Sequence, residues 1–269
     1  MKYSMMTYTM ARQAADKKCD MRAICRLTRE LGLGGIDQVT LYGYDPKDLR
    51  KMADDEGVGF ICYTFSADLS HSDPKQLETG LETVREGLEI ARTLGAPAVM
   101  IPVGRKMEYT RAEQRKLTMA GLSEAVRLGR EYGIKITTEH FVCQAPFIAT
   151  SDFKELLKAV PGMYITFDAG CVLAGGENPR EGFLSIKDKV IHAHFKDYVL
   201  AETGMEGLDG KFYKPALIGE GLVDYPPLVK AMQTAGYDGY VNIEYEGNDY
   251  PADQAVRKAL AYLRGIEGK

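Results

Sequence analysis

The stretch "YITFDAGCVLAGGENPREGFLSIKDKVIHAHFKDY" covers residues 164–198 and begins and ends on short apolar runs, 164–168 and 190–194, separated by a segment long enough for a helix. Strand, helix, strand is the unit of a parallel sheet, because parallel neighbours need a long crossover. The second run carries His192 and His194, half of the chain's 4 histidines. A strand alternates its faces, so both imidazoles point the same way. That arrangement matters only if the face they share holds something in need of nitrogen ligands.

Working outward, the same alternation recurs. Eight apolar runs stand at 2–8, 35–41, 59–65, 98–102, 135–139, 164–168, 190–194 and 240–244. Between them, "TRAE" at 110–113 reads as a capping box, and the glycines of "LGA" (94–96) and "YGI" (132–134) read as helix ends. Eight such units predict an α/β fold, a single (β/α)8 TIM barrel spanning residues 1–269 as one domain. A doubly wound sheet usually has fewer strands and often a glycine-rich turn after the first, where this chain has "YTMARQAAD". The main irregularity is 198–224, too long and too glycine-rich for a minimal turn, and a loop of that kind often covers a site. Its "GEG" (219–221) lacks the lysine of a phosphate loop and reads as a turn before the next helix.

Composition narrows the class of partner. With 34 Lys and Arg against 38 Asp and Glu, the net charge of −4 gives no field for a polyanion, which argues for a small-molecule ligand and against nucleic acid. The 5 cysteines, at 19, 25, 62, 143 and 171, have neither disulfide-framework nor Cys-x-x-Cys spacing. Free thiols in a reducing compartment are expected. The opening residues lack a signal-peptide core, and no apolar run approaches the roughly 20 residues of a membrane span. A cytoplasmic location away from membranes follows as an expectation; homo-oligomerisation stays open.

Barrel enzymes place their chemistry at the C-terminal ends of the strands. The fifth to eighth runs end in Glu139, Asp168, His194 and Glu244. A single strand-end acid is ordinarily a solvated charge or a helix cap. Three acids and an imidazole on one rim are different: clustered carboxylates repel unless a cation sits among them, and oxygen with imidazole suits Mn, Mg, Zn or Co. Two residues back on the inward face stand Thr137, Thr166, His192 and Asn242, where a barrel normally stacks branched apolar side chains. Polar groups there would orient the ligands above them, His194 binding a metal and His192 supporting it; a satisfied core histidine is the other reading of His192.

These residues, in this order, resemble the sugar phosphate isomerase/epimerase group of xylose-isomerase-like barrels, which includes ketose 3-epimerases, inosose dehydratases and, more distantly, endonuclease IV. The segments that carry the likeness are "ITTEHF", "TFDAG", "IHAHFKD" and "IGEGLVDYPPLVKAMQTAGYDGYVNIEYEG". The resemblance implies one divalent metal ion held by Glu139, Asp168, His194 and Glu244. One position departs from it: many relatives carry histidine three residues after the aspartate, where this chain has Cys171. A thiol cannot supply the same hydrogen bond, and a free cysteine usually just packs.

The chemistry such a site permits is proton abstraction next to the carbonyl of a carbohydrate, because a cation stabilises the developing enediolate. Glu139 and Glu244 are the candidate catalytic pair, one removing the proton and the other returning it on the opposite face, which makes a sugar isomerase or epimerase; both acting only as ligands is the alternative. Glu246 is the reserve acid or base, and Lys196 is a candidate contact for a substrate hydroxyl or phosphate. A dehydratase of a keto-polyol such as an inosose would share the first half-reaction. A non-catalytic sugar- or metal-binding barrel is the remaining class. An abasic-site endonuclease would need more histidines than His71 and His140 supply.

Overall fold

The computed structural model describes residues 1–14, 19–142 and 144–267, which leaves Cys143 outside the described residues. All eight expected runs form strands, each within two residues of the expected bounds: β1 Lys2–Met6, β2 Ile36–Val39, β3 Phe60–Thr64, β4 Ala98–Met100, β5 Lys135–Glu139, β6 Tyr164–Asp168, β7 Val190–Phe195 and, after an insert, β11 Tyr240–Ile243. Parallel pairing closes them into a barrel in the order β1-β11-β7-β6-β5-β4-β3-β2. The helices between them are α1 Thr7–Ala11, α2 Met21–Glu30, α3 Pro46–Glu56, α4 Pro74–Leu94, α5 Arg111–Tyr132, α6 Thr150–Ala159, α7 Ala169–Ala174, α8 Pro179–Ile186, α9 Tyr225–Thr234 and α10 Ala252–Ile266.

Local chemistry sets the helix boundaries. Asp45 and Asp73 cap α3 and α4 through their side chains, each just before a proline whose missing N–H costs nothing at that position. The capping box at α5 forms as expected, Glu113 N donating to Thr110 Oγ1 and Thr110 N to Glu113 Oε2. Gly95 and Gly133 end α4 and α5 at φ of 74° and 68°. The apolar core lies between barrel and helices, where Val84, Leu88, Leu122, Phe153, Leu156, Val256 and Leu260 are buried. The barrel interior holds many buried polar side chains, among them Ser4, Asp37, Thr137, Thr166, His192 and Asn242.

The stretch after β7 is not the irregular loop expected from its glycines. It forms a small antiparallel sheet of β8 Asp197–Ala201, β9 Met205–Glu206 and β10 Phe212–Ala216, in the order β8-β10-β9. The alternating Tyr198, Leu200, Phe212 and Tyr213 supply strand propensity, and Gly204 and Gly210, both at positive φ, supply the turns. The glycines punctuate strands here.

The rim segment after β3 is seated by close backbone approach. A Cβ on Gly121 of α5 would stand 2.6 Å from the Leu69 carbonyl oxygen, and one on Gly80 of α4 would stand 2.0 Å from that of Asp68. Gly121→Ala should therefore force this segment outward and destabilise the protein by about 1–3 kcal/mol, read as a lower urea midpoint with unchanged m-value. An unchanged midpoint would show that the segment yields freely.

Candidate active site

Four neighbouring barrel strands deliver four side chains to one point. Glu139 closes β5, Asp168 closes β6, His194 is penultimate in β7 and Glu244 directly follows β11. The register sets Asp168 beside His194 and His194 beside Asn242. His194 is the hub: its Nδ1 lies 3.0 Å from Glu139 Oε2 and 3.4 Å from Glu244 Oε2. One donor atom each from Glu139, Asp168 and His194 lie within 4.8 Å of one another. Glu244 falls outside that trio and turns its other oxygen to Lys196, whose Nζ is 3.3 Å away. The same ammonium lies 3.0 Å from Asp168 Oδ2 and 3.7 Å from Glu246 Oε1. Glu139, Asp168, His194, Lys196 and Glu244 are all buried.

Burial and mutual repulsion govern the charges. Burial pushes the carboxyls of Asp168 and Glu244 up from their ordinary range, against the pull of Lys196. Burial alone would lower His194 and Lys196. For His194, hydrogen bonds to Asp37 and Glu139 and the nearby Glu244 reverse that; for Lys196, Asp168 leads and Cys171, Glu244 and Glu246 add to it, so both bases are held well above their usual values. Glu246, nearer the solvent, is lowered despite its own burial by Lys196 and by a hydrogen bond from Glu244. Asp168 Oδ2 and Glu244 Oε2 remain buried without a hydrogen bond of good geometry. Such atoms are costly unless something positive faces them.

The segment "DAGC" can be explained atom by atom. Asp168 caps α7, its Oδ1 accepting from Cys171 N at 2.8 Å. A Cβ on Gly170 would meet the Lys196 carbonyl oxygen at 2.7 Å and Lys196 Cγ at 2.8 Å, so this glycine gives the lysine its seat. The Cys171 side chain is fully buried and its thiol pushed far up by that burial. It packs, and only its backbone serves Asp168. Cys25 and Cys62 are likewise buried free thiols, and Cys19 is buried with its Sγ 3.7 Å from Met21 Sδ. His140 stacks on Phe153 with ring centroids 3.9 Å apart, and burial lowers it to about 3, which marks a neutral core histidine.

Beneath the cluster the expected polar layer is present. Thr137 and Thr166 share a hydroxyl contact of 2.8 Å, and Ser4 Oγ donates to Asn242 Oδ1 at 3.1 Å. His192 meets a residue that strand-end reasoning did not reach, Asp37 of β2. Asp37 Oδ2 lies 2.8 Å from His192 Nε2, 3.1 Å from His194 Nε2 and 3.3 Å from Asn242 Nδ2, while Thr64 Oγ1 donates to Oδ1 at 3.1 Å. An aspartate inside an apolar strand was the available signal. Two register shifts help, one at Ile36/Asp37 against β3 and one at Ile165/Thr166 against β7, since such irregularities re-aim side chains.

Around this centre, Asp197 fastens the insert, its two oxygens accepting from the backbone of Tyr198, Gly219, Gly221 and Val223 at 2.9 to 3.2 Å. A cavity of about 470 Å³ opens at the ends of β1 and β2, lined by Tyr8, Ala11, Arg12, Val39, Thr40 and Tyr42. Arg12 Nη1 donates to the Gly247 carbonyl oxygen at 2.7 Å, which ties the cavity wall to the segment that carries Glu244 and Glu246. Thr40 and Tyr42 hold left-handed φ of 52° and 48°, the kind of backbone strain that gathers at ligand sites. A larger hollow of about 570 Å³ lies between α8 and α9, lined by Lys187 and Ala235, which precede β7 and β11, so it belongs to the opposite end of those strands from the cluster.

A family model described as Xylose isomerase-like TIM barrel matches residues 25–266, and the chain belongs to that family. In sequence it is similar to the inosose dehydratase of Lacticaseibacillus casei, 26% identical over 267 residues that cover 85% of this chain and 87% of that one. In structure it is similar to a D-allulose 3-epimerase from Methylomonas sp., with a TM-score of 0.80, 15% identity and coverage of 99% and 98%. It is similar also to the IolI protein with a binding zinc atom, with a TM-score of 0.80, 18% identity and coverage of 99% and 98%. At these identities the structural likeness is one of fold. Among the described residues no helix is long and apolar enough to cross a membrane.

Asp197→Asn should leave the two N–H groups at one carboxylate oxygen facing an amide NH₂, costing about 1–3 kcal/mol. The expected sign is faster limited proteolysis within 198–224 while the barrel's far-ultraviolet dichroism is kept. Cleavage at the wild-type rate would show that the insert is held by other contacts.

Proposed function

We propose that this chain is a metal-dependent enzyme that removes the proton next to the carbonyl of a ketose or keto-polyol. The observation that carries this reading is the convergence of Glu139, Asp168 and Glu244 on His194 in a buried pocket at the strand ends. The donor set fits a divalent ion such as Mn, Mg, Co or Zn: three carboxylates and one imidazole, with Asp168 Oδ2 and Glu244 Oε2 lacking a well-formed hydrogen bond. Glu139, Asp168, His194 and Glu244 would hold it. Bound there, the cation would acidify the α-hydrogen of a substrate that chelates through its carbonyl and neighbouring hydroxyl.

The rest of the chemistry belongs to the chain's own groups. Glu139 and Glu244 come from strands at opposite ends of the four-strand arc, so one takes the α-proton and the other delivers a proton to the opposite face, which inverts the carbon. Glu246 stands in reserve beside Lys196, and the Lys196 ammonium contacts a substrate hydroxyl. Burial under the rim excludes the water that would quench the carbanion. The Tyr8 and Tyr42 cavity receives the end of the substrate that does not react.

A second reading rests on a specific observation: the curated relatives that match over most of this chain are named inosose dehydratases, including those at 26% and 24% identity. In that reading the same carboxylate takes the α-proton, the electron pair forms a carbon–carbon double bond, and the β-hydroxyl leaves as water after accepting a proton from Lys196. The two fates differ in product alone.

Protein purified without chelators should carry one divalent ion per chain, and Asp168→Asn should lose most of it on metal analysis. Glu139→Gln and Glu244→Gln, assayed after metal loading, should each slow net turnover of a ketose or inosose panel by about 10²- to 10⁴-fold. Exchange of the α-hydrogen with deuterated solvent marks epimerisation; growth of enone absorbance marks dehydration. Near wild-type turnover by both loaded glutamine variants would remove the two glutamates as the proton-transfer pair.

A further inference from the structure

We infer that Asp37 is a positioning residue that fixes which nitrogen of His194 faces the metal pocket, an inference that rests on the metal-dependent reading above. His194 presents Nδ1 to Glu139 and Glu244, and Nε2 to Asp37. A neutral imidazole keeps its proton on one nitrogen, and the nitrogen that has a permanent acceptor keeps it. Asp37 is such an acceptor, fully buried and reached by His192 Nε2, His194 Nε2, Asn242 Nδ2 and Thr64 Oγ1. With Nε2–H held from below, Nδ1 is the nitrogen that faces the carboxylates and would bind a cation held among them. His192 belongs to the same junction: by sharing Oδ2 it fixes where that oxygen stands, and the two rings cross at 88°.

Asp37, His192 and His194 also lie close enough to suggest a second ion. The geometry speaks for hydrogen bonding. Three N–H groups reach one carboxylate oxygen and a hydroxyl reaches the other, so the acceptor is saturated by donors, and the contacts have ordinary hydrogen-bond lengths. Asp37 is thus the carboxylate of a carboxylate–histidine–metal relay, built from a strand, β2, that lies three strands round the barrel from the β7 of its histidine.

The test titrates Zn²⁺ into metal-free protein against a chromophoric chelator and records long-range ¹H–¹⁵N spectra of the histidine rings. The expected result is one Zn²⁺ per chain, His194 with its proton on Nε2 in the loaded protein, and an affinity about 10- to 100-fold weaker in Asp37→Asn, whose amide oxygen still accepts but carries no charge. Thermal unfolding of the metal-free variant checks that the loss is one of binding. Wild-type affinity in a folded Asp37→Asn variant overturns the inference alone. If that variant does not fold, the wild-type spectrum decides, since a proton on Nδ1 in the loaded protein overturns it. Binding of two Zn²⁺, with one lost in the variant, overturns it by making Asp37 a ligand. Failure of wild-type protein to bind any Zn²⁺, Mn²⁺, Mg²⁺ or Co²⁺ removes the functional reading and this inference with it.

Discussion

Three carboxylates buried at the mouth of one barrel cannot all carry charge in a low dielectric without positive partners, and that constraint organises the rest of the molecule. Lys196 answers it on one side, reaching Asp168, Glu244 and Glu246, and His194 answers it on the other, reaching Glu139, Glu244 and Asp37. Neither cation saturates the site, because oxygens of Asp168 and Glu244 stay without good hydrogen bonds. A core built for stability alone would fill this space with branched apolar side chains. Polar side chains at this depth instead hold one another in fixed orientations through hydrogen bonds.

The barrel makes this arrangement possible. Strand ends are rigid, so the four neighbouring strands fix their side chains to within the tolerance that a ligand set needs. Smaller devices refine the placement: the α7 cap holds Asp168, the bare backbone of Gly170 admits Lys196, and register shifts next to Asp37 and His192 turn them toward each other. Asp197 separates two jobs on adjacent residues, since Lys196 faces the cluster while its neighbour fastens the insert.

Much of this was legible in the sequence. The eight apolar runs mark eight strands because a parallel barrel buries both faces of each strand, and Glu139, Asp168, His194 and Glu244 stood out because each ends an apolar run. Thr137, Thr166 and His192 were reached by stepping back two residues on the inward face. Asp37 escaped for a physical reason. Its run looks apolar as far as Leu41, yet the strand stops at Val39 where Thr40 turns to positive φ, so counting from the apparent end misplaces the inward layer. The relation between Asp37 and His194 is also a contact across the barrel, and nothing in local spacing encodes that. In the insert, glycines that promote turns hid the antiparallel strands, because strand propensity over five residues is weak evidence until a partner is known.

On the proposed reading, the distribution of parts also explains why the site points to a first chemical step more narrowly than to a product. On that reading the cluster on β5, β6, β7 and β11 would serve any reaction that begins by taking an α-proton. The fate of the resulting carbanion depends on which group stands over the second carbon. In this chain the candidates for that place lie outside the buried cluster: Glu246 at its solvent edge, Tyr8, Arg12 and Tyr42 after β1 and β2, and the insert fastened by Asp197. Rim segments of this kind can change without disturbing buried charges, whereas a change within the cluster leaves a carboxylate unpaired at a cost of several kcal/mol. A substitution on the β1 and β2 side is therefore expected to disturb the fold less than one on the side that holds the carboxylates.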